Sequence, residues 1–304
     1  MNGGGWMSES GDVWARWMER PQELRAAVEF TSAATGFMPA LVEKDFWCSM
    51  ALSSLFQHTE PCALVFKGGT LLSKAYVTFN RLSEDLDFTL PTDSSATRSE
   101  RSRRAKNFTL WVDAVLGGLM NLNDPGWQSF NASSQHESRW IYPSVFGGHG
   151  SIKLEISQRE AVLQGVQTVE LATLLRDPLF NEAALPPIPA AGLGKTEAYA
   201  EKVRAALTRK NPAPRDLFDL DYAVENGVLD WSEENFLELA VRKVAMEKRI
   251  DWLSQNRIDH FQKGLESELR PVLQPKTYRN FNFERSIKTL RDIAGLIEQR
   301  LPNA

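Results

Sequence analysis

The pattern of hydrophobic positions changes twice along the chain. Residues 12–58 repeat apolar side chains at helical spacing, as at Val42, Phe46 and Met50. The middle of the chain instead has short apolar runs and apolar–polar alternation separated by glycine turns, which is typical of strands. The helical period then returns towards the end of the chain. The pattern therefore predicts an α+β protein in which helices precede and follow a sheet.

The same periodicities predict the individual elements. Five segments predict strands: "ALVFK", "DLDFTL", "RWIYPSV", "SIKLEIS" and "TVEL". Four segments predict C-terminal helices: 197–209, 215–227, 232–249 and 284–300. Between them, the proline-rich "NEAALPPIPAA" predicts a linker or a loop over the sheet. We therefore divide the chain into an N-terminal helical segment, a sheet-containing core and a helical C-terminal domain: 1–60, 61–182 and 183–304.

The composition is that of a folded protein without a membrane span. Of the 304 residues, 42% are hydrophobic and 24% are charged. No apolar run approaches the roughly 18 residues that a transmembrane helix requires. The N-terminus lacks a basic start followed by an apolar stretch, so we expect no secretory signal and a cytoplasmic protein. Cys48 and Cys62 are far apart and lack CxxC spacing, which predicts neither a disulfide framework nor a zinc site, and we expect both to be buried.

Electrostatic binding of nucleic acid would have to be local, because the formal net charge of the chain is −4. The densest basic segment is "RSERSRRAK", which predicts either a solvated helix face or a surface that follows phosphates. Its cations are Arg98, Arg101, Arg103, Arg104 and Lys106.

The stretch "FKGGTLLSK" predicts an anion site. A strand is predicted to end at Lys67 and a helix to begin at Thr70. The Gly68-Gly69 turn between them leaves backbone N–H groups open, and no side chain keeps a phosphate away. Lys74 lies four residues after Thr70, on the same predicted helix face, and adds a cation. An ordinary tight turn between strand and helix is the alternative.

Two acidic strands predict a metal site. In "SEDLDF", Asp85 and Asp87 project from the same face of a strand, about 7 Å apart along the chain. Two carboxylates on one face repel each other and need a cation. An oxygen-only ligand set suits Mg²⁺ or Mn²⁺, which also bind substrate phosphates. In "SIKLEIS", Glu155 alternates with apolar residues and offers the third acid that a two-metal site uses. The alternatives are a solvated edge strand for the aspartates and a solvent-facing Glu155.

These motifs occur in the order of a known family. The chain resembles the AbiEii/AbiGii toxin family of nucleotidyltransferases, which includes the MenT toxins, over about residues 40–225, in "VEKDFWCSMAL", "KGGTLLSK", "RLSEDLDF", "IKLEIS" and "AEKVRAALTRKNPAPRDLFDL". The resemblance implies a mixed nucleotidyltransferase sheet of the DNA polymerase β type. It also implies N-terminal helices and a helical C-terminal domain that closes over the nucleotide.

The resemblance implies roles for individual residues. Nucleotide binding is expected of the turn and of nearby polar side chains: Gly68, Gly69, Thr70, Lys74, Ser83 and Arg209, with Arg215 as a further phosphate contact. Metal binding is expected of Asp85, Asp87 and Glu155. Lys202 is expected to meet the triphosphate or the developing charge, and Asp216 to position or activate the acceptor. The expected catalytic set is Asp85, Asp87, Lys202 and Asp216.

The implied reaction is Mg²⁺-dependent transfer of NMP from an NTP to an acceptor hydroxyl. By the same resemblance, the acceptor is expected to be a tRNA 3′ end, and the basic cluster Arg98–Lys106 a contact to the tRNA backbone. The protein is expected to be the toxin of a type IV toxin–antitoxin system, of a kind linked to phage defence, with a cognate antitoxin protein as partner. Two alternatives stay open: nucleotidyl transfer to a protein or a small molecule, and a non-catalytic nucleotide-binding regulator.

Overall fold

The computed structural model describes residues 14, 16–58, 63–92, 95–131, 134–159, 161–247 and 252–301. Trp14 and residues 16–19 are helical, and two longer helices follow: α1 (Pro21–Thr35) and α2 (Pro39–Gln57). Both carry proline in the first turn, where its missing N–H costs no hydrogen bond, and α1 ends at Gly36 in the left-handed conformation. These helices confirm the helical prediction for the N-terminal segment over its described part.

The centre of the molecule is a mixed eight-stranded sheet. Its strands are β1 (Val65–Lys67), β2 (Asp85–Thr89), β3 (Asn121–Leu122), β4 (Gln128–Phe130), β5 (Gln135–Pro143), β6 (His149–Ser157), β7 (Val166–Leu171) and β8 (Ile188–Leu193). The strand order is β3-β5-β6-β2-β1-β8-β7, and β4 also pairs with β5. β2 runs parallel to β6 and β1 parallel to β8, whereas the other pairs are antiparallel. The predicted fold class, α+β with a mixed sheet, is confirmed.

One face of the sheet is covered by the N-terminal helices. Phe66 of β1 and Phe88 of β2 pack together with ring centroids 5.3 Å apart. Phe56 of α2 contacts both rings, at 6.4 and 6.3 Å between centroids. Side chains alternate between the two faces along a strand, so the residues next to Phe66 in β1 and next to Phe88 in β2 point to the opposite face. That opposite face carries the polar side chains of β2 and β6.

The predicted linker contains a strand, so this prediction was wrong. β8 lies inside the sheet, antiparallel to β7 and parallel to β1. Pro189 misled the prediction, because proline lacks an N–H donor and is rare inside sheets. β1 has only three residues and pairs in parallel with β8 at Phe66 and Gly192, so Pro189 lies level with the chain just before β1 begins and, within the described chain, has no partner strand on that side. The sheet therefore continues past the boundary expected at residue 182.

Helices make up most of the rest of the described chain. They are α3 (Gly68–Leu71), which continues as the π-helical Leu72–Tyr76, α4 (Arg98–Leu116), α5 (Lys195–Thr208), α6 (Pro214–Glu225), α7 (Glu234–Ala245), α8 (Gln255–Gly264), α9 (Pro275–Asn280) and α10 (Phe283–Arg300). The four predicted C-terminal helices correspond to α5, α6, α7 and α10. α8 escaped prediction because its buried positions are Arg257, Phe261 and Gly264, which give little apolar periodicity.

Two further expectations concern membranes and cysteines. Within the described ranges, no helix combines the length and apolarity needed to cross a bilayer. Cys48 is buried in α2 with a free thiol, as expected. Cys62 lies outside the described residues.

Candidate active site

A cavity of about 440 Å³ lies between the polar face of the sheet and helices α5 and α6. Strands and adjoining loops contribute Lys67, Gly68, Gly69, Arg81, Ser83, Asp85, Asp87, Gln135, Lys153, Glu155, Ser157 and Arg159. The helices and the loop between them contribute Ala198, Glu201, Lys202, Arg204, Ala205, Arg209, Ala213, Arg215 and Asp216. The cavity thus brings together all the predicted site residues except Thr70 and Lys74.

The register of β2 and β6 places the acidic side chains side by side. Asp87 pairs with Glu155, and Asp85 pairs with Lys153, on parallel neighbouring strands. Paired residues on neighbouring strands share a face, so all four side chains point into the cavity. Burial, together with the carboxylates of Glu155 and Asp85, raises the pKa of Asp87 to about 6. The aspartate pair is therefore a concentration of negative charge that the protein itself offsets only in part.

The glycine turn is shaped around β2. Gly68 has a φ of 80°, and a β-carbon there would collide with the carboxylate of Asp87. A β-carbon at Gly69 would collide with the guanidinium of Arg81. Thr70 donates its hydroxyl hydrogen bond to the backbone oxygen of Asp85 at 2.5 Å. The predicted helix begins at Gly68, two residues earlier than expected. Thr70 is buried, so it positions β2 instead of lining the cavity.

Lys74 does not reach the cavity, contrary to the expectation that it faces the phosphates. Its Nζ lies 2.7 Å from Oδ1 of Asp45 and 2.8 Å from the hydroxyl of Ser49, with the side chain fully buried. The expectation assumed α-helical spacing from Thr70, but Leu72–Tyr76 is π-helical. A π-helix bonds i to i+5, so the i, i+4 relation no longer keeps two side chains on one face. Lys74 is a core ion-pair residue.

A chain of charges joins the loop before β2 to α5 and α6. Nζ of Lys202 lies 2.7 Å from Oδ1 of Asp216 and 2.9 Å from Oδ2 of Asp219. Nη1 of Arg209 lies 2.9 Å from Oδ2 of Asp216. Arg81 donates to both oxygens of Asp219, through Nε at 2.6 Å and Nη2 at 2.8 Å. Lys202 is therefore fixed at the cavity wall between two carboxylates.

The cations keep two of the three aspartates of α6, Asp216 and Asp219, ionised. Burial alone would raise the pKa of Asp216, but Arg209 and Lys202 outweigh it and hold the pKa below its usual range. Burial opposes ionisation of Asp219 in the same way, and Arg81 and Lys202 lower its pKa. Since both oxygens of Asp216 already accept bonds, this carboxylate is a poor proton acceptor. The geometry suits Asp216 to positioning cations.

The cavity fits a divalent cation through its two aspartates. Neither the Asp85 nor the Asp87 carboxylate has a hydrogen bond or ion pair with another described residue, and both offer the oxygen ligands that Mg²⁺ and Mn²⁺ prefer. Glu155 is different, because Gln135 donates to it at 2.9 Å and Lys153 at 3.2 Å. Within the described ranges, no three His, Cys, Asp or Glu side chains are placed to hold one metal ion. Glu155 could become a third ligand only by giving up those bonds.

Several residues of the cavity and of its ion network were not singled out from the sequence: the cavity residues Arg81, Lys153, Arg159, Glu201 and Arg204, and Asp219 of the network. A signal existed for two of them. Arg81 lies inside the quoted motif "RLSEDLDF", and Asp219 follows Asp216 at the i, i+3 spacing that shares a helix face. The other residues have no sequence signal, because strand register and helix packing bring them to the cavity.

The basic cluster at the start of α4 divides into two groups. Arg101 donates to the backbone oxygen of Ala96 and Arg104 to that of Pro91, so these two hold the connection from β2. The other three are exposed: Arg98, Arg103 and Lys106. The side chain of Gln158, next to the cavity residue Ser157, donates to the backbone oxygen of Arg101. The exposed cations therefore start near one rim of the cavity.

Comparison with known proteins identifies relatives of the whole fold. The family model of the AbiEii nucleotidyl transferase toxin of type IV toxin–antitoxin systems matches residues 51–287. Among solved structures, the nucleotidyltransferase toxin MenT4 from Mycobacterium tuberculosis H37Rv is similar, with 20% sequence identity, a TM-score of 0.58 and coverage of 91% of this chain and 90% of that chain. At this identity the likeness shows a shared fold. No curated protein matches the chain.

Proposed function

The chain belongs to the AbiEii family of nucleotidyltransferase toxins of type IV toxin–antitoxin systems, and from that premise we propose that it transfers NMP from an NTP to an acceptor hydroxyl, with release of pyrophosphate. The observation that carries this proposal is the cavity itself. It sets the paired aspartates 85 and 87 on one wall and the fixed cation Lys202 on the other. Phosphoryl transfer depends on positioning and charge stabilisation, and this arrangement offers both.

The phosphates of the NTP bind on the side of the cavity that carries the turn and the helices. Gly68 and Gly69 line that side, and Lys202 and Arg209 supply fixed positive charge. Arg215 also lines the cavity and has no ion pair with any described residue. A cation without an internal partner is free to bind a substrate phosphate, which makes Arg215 the first contact that we assign to the triphosphate.

Asp85 and Asp87 would hold Mg²⁺ or Mn²⁺. A divalent cation there would neutralise phosphate charge and polarise the reacting phosphoryl group. The chain supplies the rest of the chemistry through positioning. Thr70 fixes the backbone of β2, and Asp216 with Asp219 fixes Lys202 towards the developing negative charge. Ser83 lines the same wall and is available to bind the nucleotide.

We place an RNA acceptor, a tRNA 3′ end, at the rim of the cavity. The exposed cations Arg98, Arg103 and Lys106 start near that rim and can contact phosphates of the RNA backbone. The toxin family implies a cognate antitoxin protein as a further partner. We expect this nucleotidyl transfer to take place in the cytoplasm.

The reaction is tested by incubating the protein with labelled NTPs, Mg²⁺ and total RNA. We expect wild type to label RNA of tRNA size and Asp85→Asn to label none. Labelling of protein or of small molecules instead of RNA would contradict the proposed RNA acceptor but support nucleotidyl transfer. Nucleotide binding without release of pyrophosphate would rule out the transferase and favour a non-catalytic regulator.

The toxin role is tested by expression without any antitoxin. We expect growth to arrest, and to recover with Asp87→Asn at equal protein levels. Arrest that persists with Asp87→Asn would separate toxicity from the proposed chemistry.

A further inference from the structure

A second cavity of about 210 Å³ adjoins the candidate active site. Lys153 lines both cavities, and its Nζ lies 3.2 Å from Glu155 on one side and 3.2 Å from Glu137 on the other. The second cavity is smaller than the roughly 300–1,000 Å³ of pockets that enclose a whole ligand. It therefore suits one part of a larger molecule that extends in from the active site. Its polar lining includes Asn123, Gln128, Glu137, Ser138 and Arg139.

The topology places this cavity on the side from which an acceptor must approach. The Gly68-Gly69 turn follows β1 directly and so lies on the β1 side of β2, whereas β6 and β5 lie on its other side. In phosphoryl transfer, the attacking oxygen and the leaving oxygen are roughly in line through the phosphorus. If pyrophosphate leaves towards the turn, the acceptor hydroxyl must enter from the β6–β5 side. The second cavity lies along that path.

Two side chains on this path have the properties of a binding site for unpaired nucleic acid. Arg139 pairs with Lys153, which pairs with Asp85, so it lies on the same face of the sheet, two strand spacings or about 10 Å from β2. Its side chain is exposed and has no ion pair with a described residue. Phe130 of β4 pairs with Gln135, which lines the active-site cavity, and is 42% exposed.

Phe130 and Arg139 thus offer an exposed aromatic ring and an exposed cation on one face of the sheet, about 13 Å apart along β5, because Phe130 pairs with Gln135, four residues before Arg139. Aromatic side chains stack on unpaired bases, and arginine binds the phosphates between them. A protein or small-molecule acceptor would not need this combination of stacking surface and phosphate ligand in line with the acceptor path.

Resting on the proposed function, we propose that the edge formed by β4 and β5 binds the unpaired 3′ end of a nucleic-acid acceptor. Phe130 stacks on a base, and Arg139 binds a backbone phosphate. The adjoining cavity receives the base or sugar next to the reacting end, with Asn123 and Gln128 as hydrogen-bonding groups.

The test measures RNA binding without catalysis. The probes are a fluorescein-labelled RNA hairpin with an unpaired 3′ tail and the same hairpin with a blunt end, titrated with the Asp85→Asn protein. We expect the tailed hairpin to bind more tightly. Phe130→Ala should weaken tail binding roughly fivefold or more, the scale of one lost base stack, and Phe130→Tyr should restore it. Arg139→Ala should lower the slope of log affinity against log salt by about 1.

Matched controls separate this site from general surface effects. Phe180→Ala removes an aromatic ring that is 73% exposed at a distant turn, and Arg291→Ala removes an exposed cation from α10. Both should bind the tailed hairpin like the parent protein.

Equal binding of tailed and blunt hairpins, or unchanged tail binding by both Phe130→Ala and Arg139→Ala, would overturn the proposal, and transfer to a protein acceptor would then explain the activity. A further outcome is that the protein prefers the tailed hairpin, and that Phe130→Ala and Arg139→Ala weaken that binding, while wild type transfers no nucleotide. In that case the proposed function fails and the proposed binding site is supported.

Discussion

Gly68 lies so close to Asp87 that a β-carbon at position 68 would collide with the carboxylate. Its φ of 80° is a second reason for glycine there. The turn that is expected to hold phosphate is therefore also the surface against which an expected metal ligand packs. The proposed phosphate and metal sites therefore share one piece of backbone, so a change in the turn should disturb both.

Gly68→Ala should abolish nucleotide transfer. The methyl group must displace Asp87, and misplaced ligands lose the positioning on which the reaction depends. Gly36→Ala is a matched control, because Gly36 has the same φ of 80° but open space around its β-position. It should cost about 1 kcal/mol of stability through backbone strain and keep full activity. Transfer rates and urea unfolding of both variants decide the matter, and an active Gly68→Ala would contradict the proposed packing role.

Asp87 should make the metal-free protein less stable as pH rises. Burial and the neighbouring carboxylates of Glu155 and Asp85 raise the pKa of Asp87 to about 6 in the folded protein, so the folded state binds the proton more tightly than the unfolded state. This contribution is fully present below pH 4 and is lost as pH rises through about 6. Asp87→Asn removes the titration, so its free energy of unfolding should exceed that of wild type by about 1–3 kcal/mol above pH 7, at about 1.36 kcal/mol per pKa unit.

Urea unfolding in the presence of a chelator measures this difference across pH 4–8. Asp292→Asn, at an exposed position of α10, is the control and should differ from wild type by the same small amount at every pH. A gain for Asp87→Asn that does not grow with pH would refute the electrostatic explanation.

Lys74→Met should damage stability and spare nucleotide binding. Lys74 pairs with Asp45 at 2.7 Å in the core, and loss of one partner of a buried ion pair costs about 3–5 kcal/mol. Replacing both partners, as Lys74→Met with Asp45→Leu, should recover much of that loss. Urea unfolding gives the stabilities, and the NTP KM, measured where the variant is folded, should equal that of wild type. Lys202→Met is the contrasting variant, which should lose transfer. A raised NTP KM for Lys74→Met would support the original expectation that Lys74 binds phosphate.

Spacing within one element was enough to predict the parts of the site that one element carries. Asp85 and Asp87 share a strand face because the side-chain period of a strand is 2, and the structure has them so. The same reasoning gave the wrong position for Lys74, because the π-helical turn changes the number of residues per helical turn. The sequence "LLSKAY" carries no signal for a π-helix. Local pattern thus predicts which residues share a face only where the element is regular.

Contacts between distant segments could not be predicted from the sequence. Arg81 and Asp219 are 138 residues apart, and only the packing of α6 against the loop before β2 brings them together. β8 was missed for a related reason. Whether a strand that contains a proline can join the sheet depends on which residues of the short strand β1 lie opposite it, and the sequence does not give that pairing. The residues of a single motif were therefore foreseeable, whereas the ion network that fixes Lys202 was not.

Asp219→Ala should be far more damaging than Asp221→Ala, although the two residues lie on the same helix. Each carboxylate accepts two bonds from an arginine: Asp219 from Arg81, and Asp221 from Arg285 at 2.9 and 2.8 Å. The side chain of Arg81 is 2% exposed, and that of Arg285 is 38% exposed. Only Arg285 can turn to water when its partner is removed.

Asp219→Ala should therefore cost about 3–5 kcal/mol, the effect of stranding a buried charge, and Asp221→Ala about 1 kcal/mol or less. Asp219 also holds Lys202, so its loss should reduce transfer by lowering kcat in the folded fraction, whereas Asp221→Ala should keep kcat. Urea unfolding and steady-state kinetics measure both quantities. Equal losses in the two variants would mean that burial of the arginine does not govern stability here. An unchanged kcat for Asp219→Ala would mean that Asp216 alone positions Lys202.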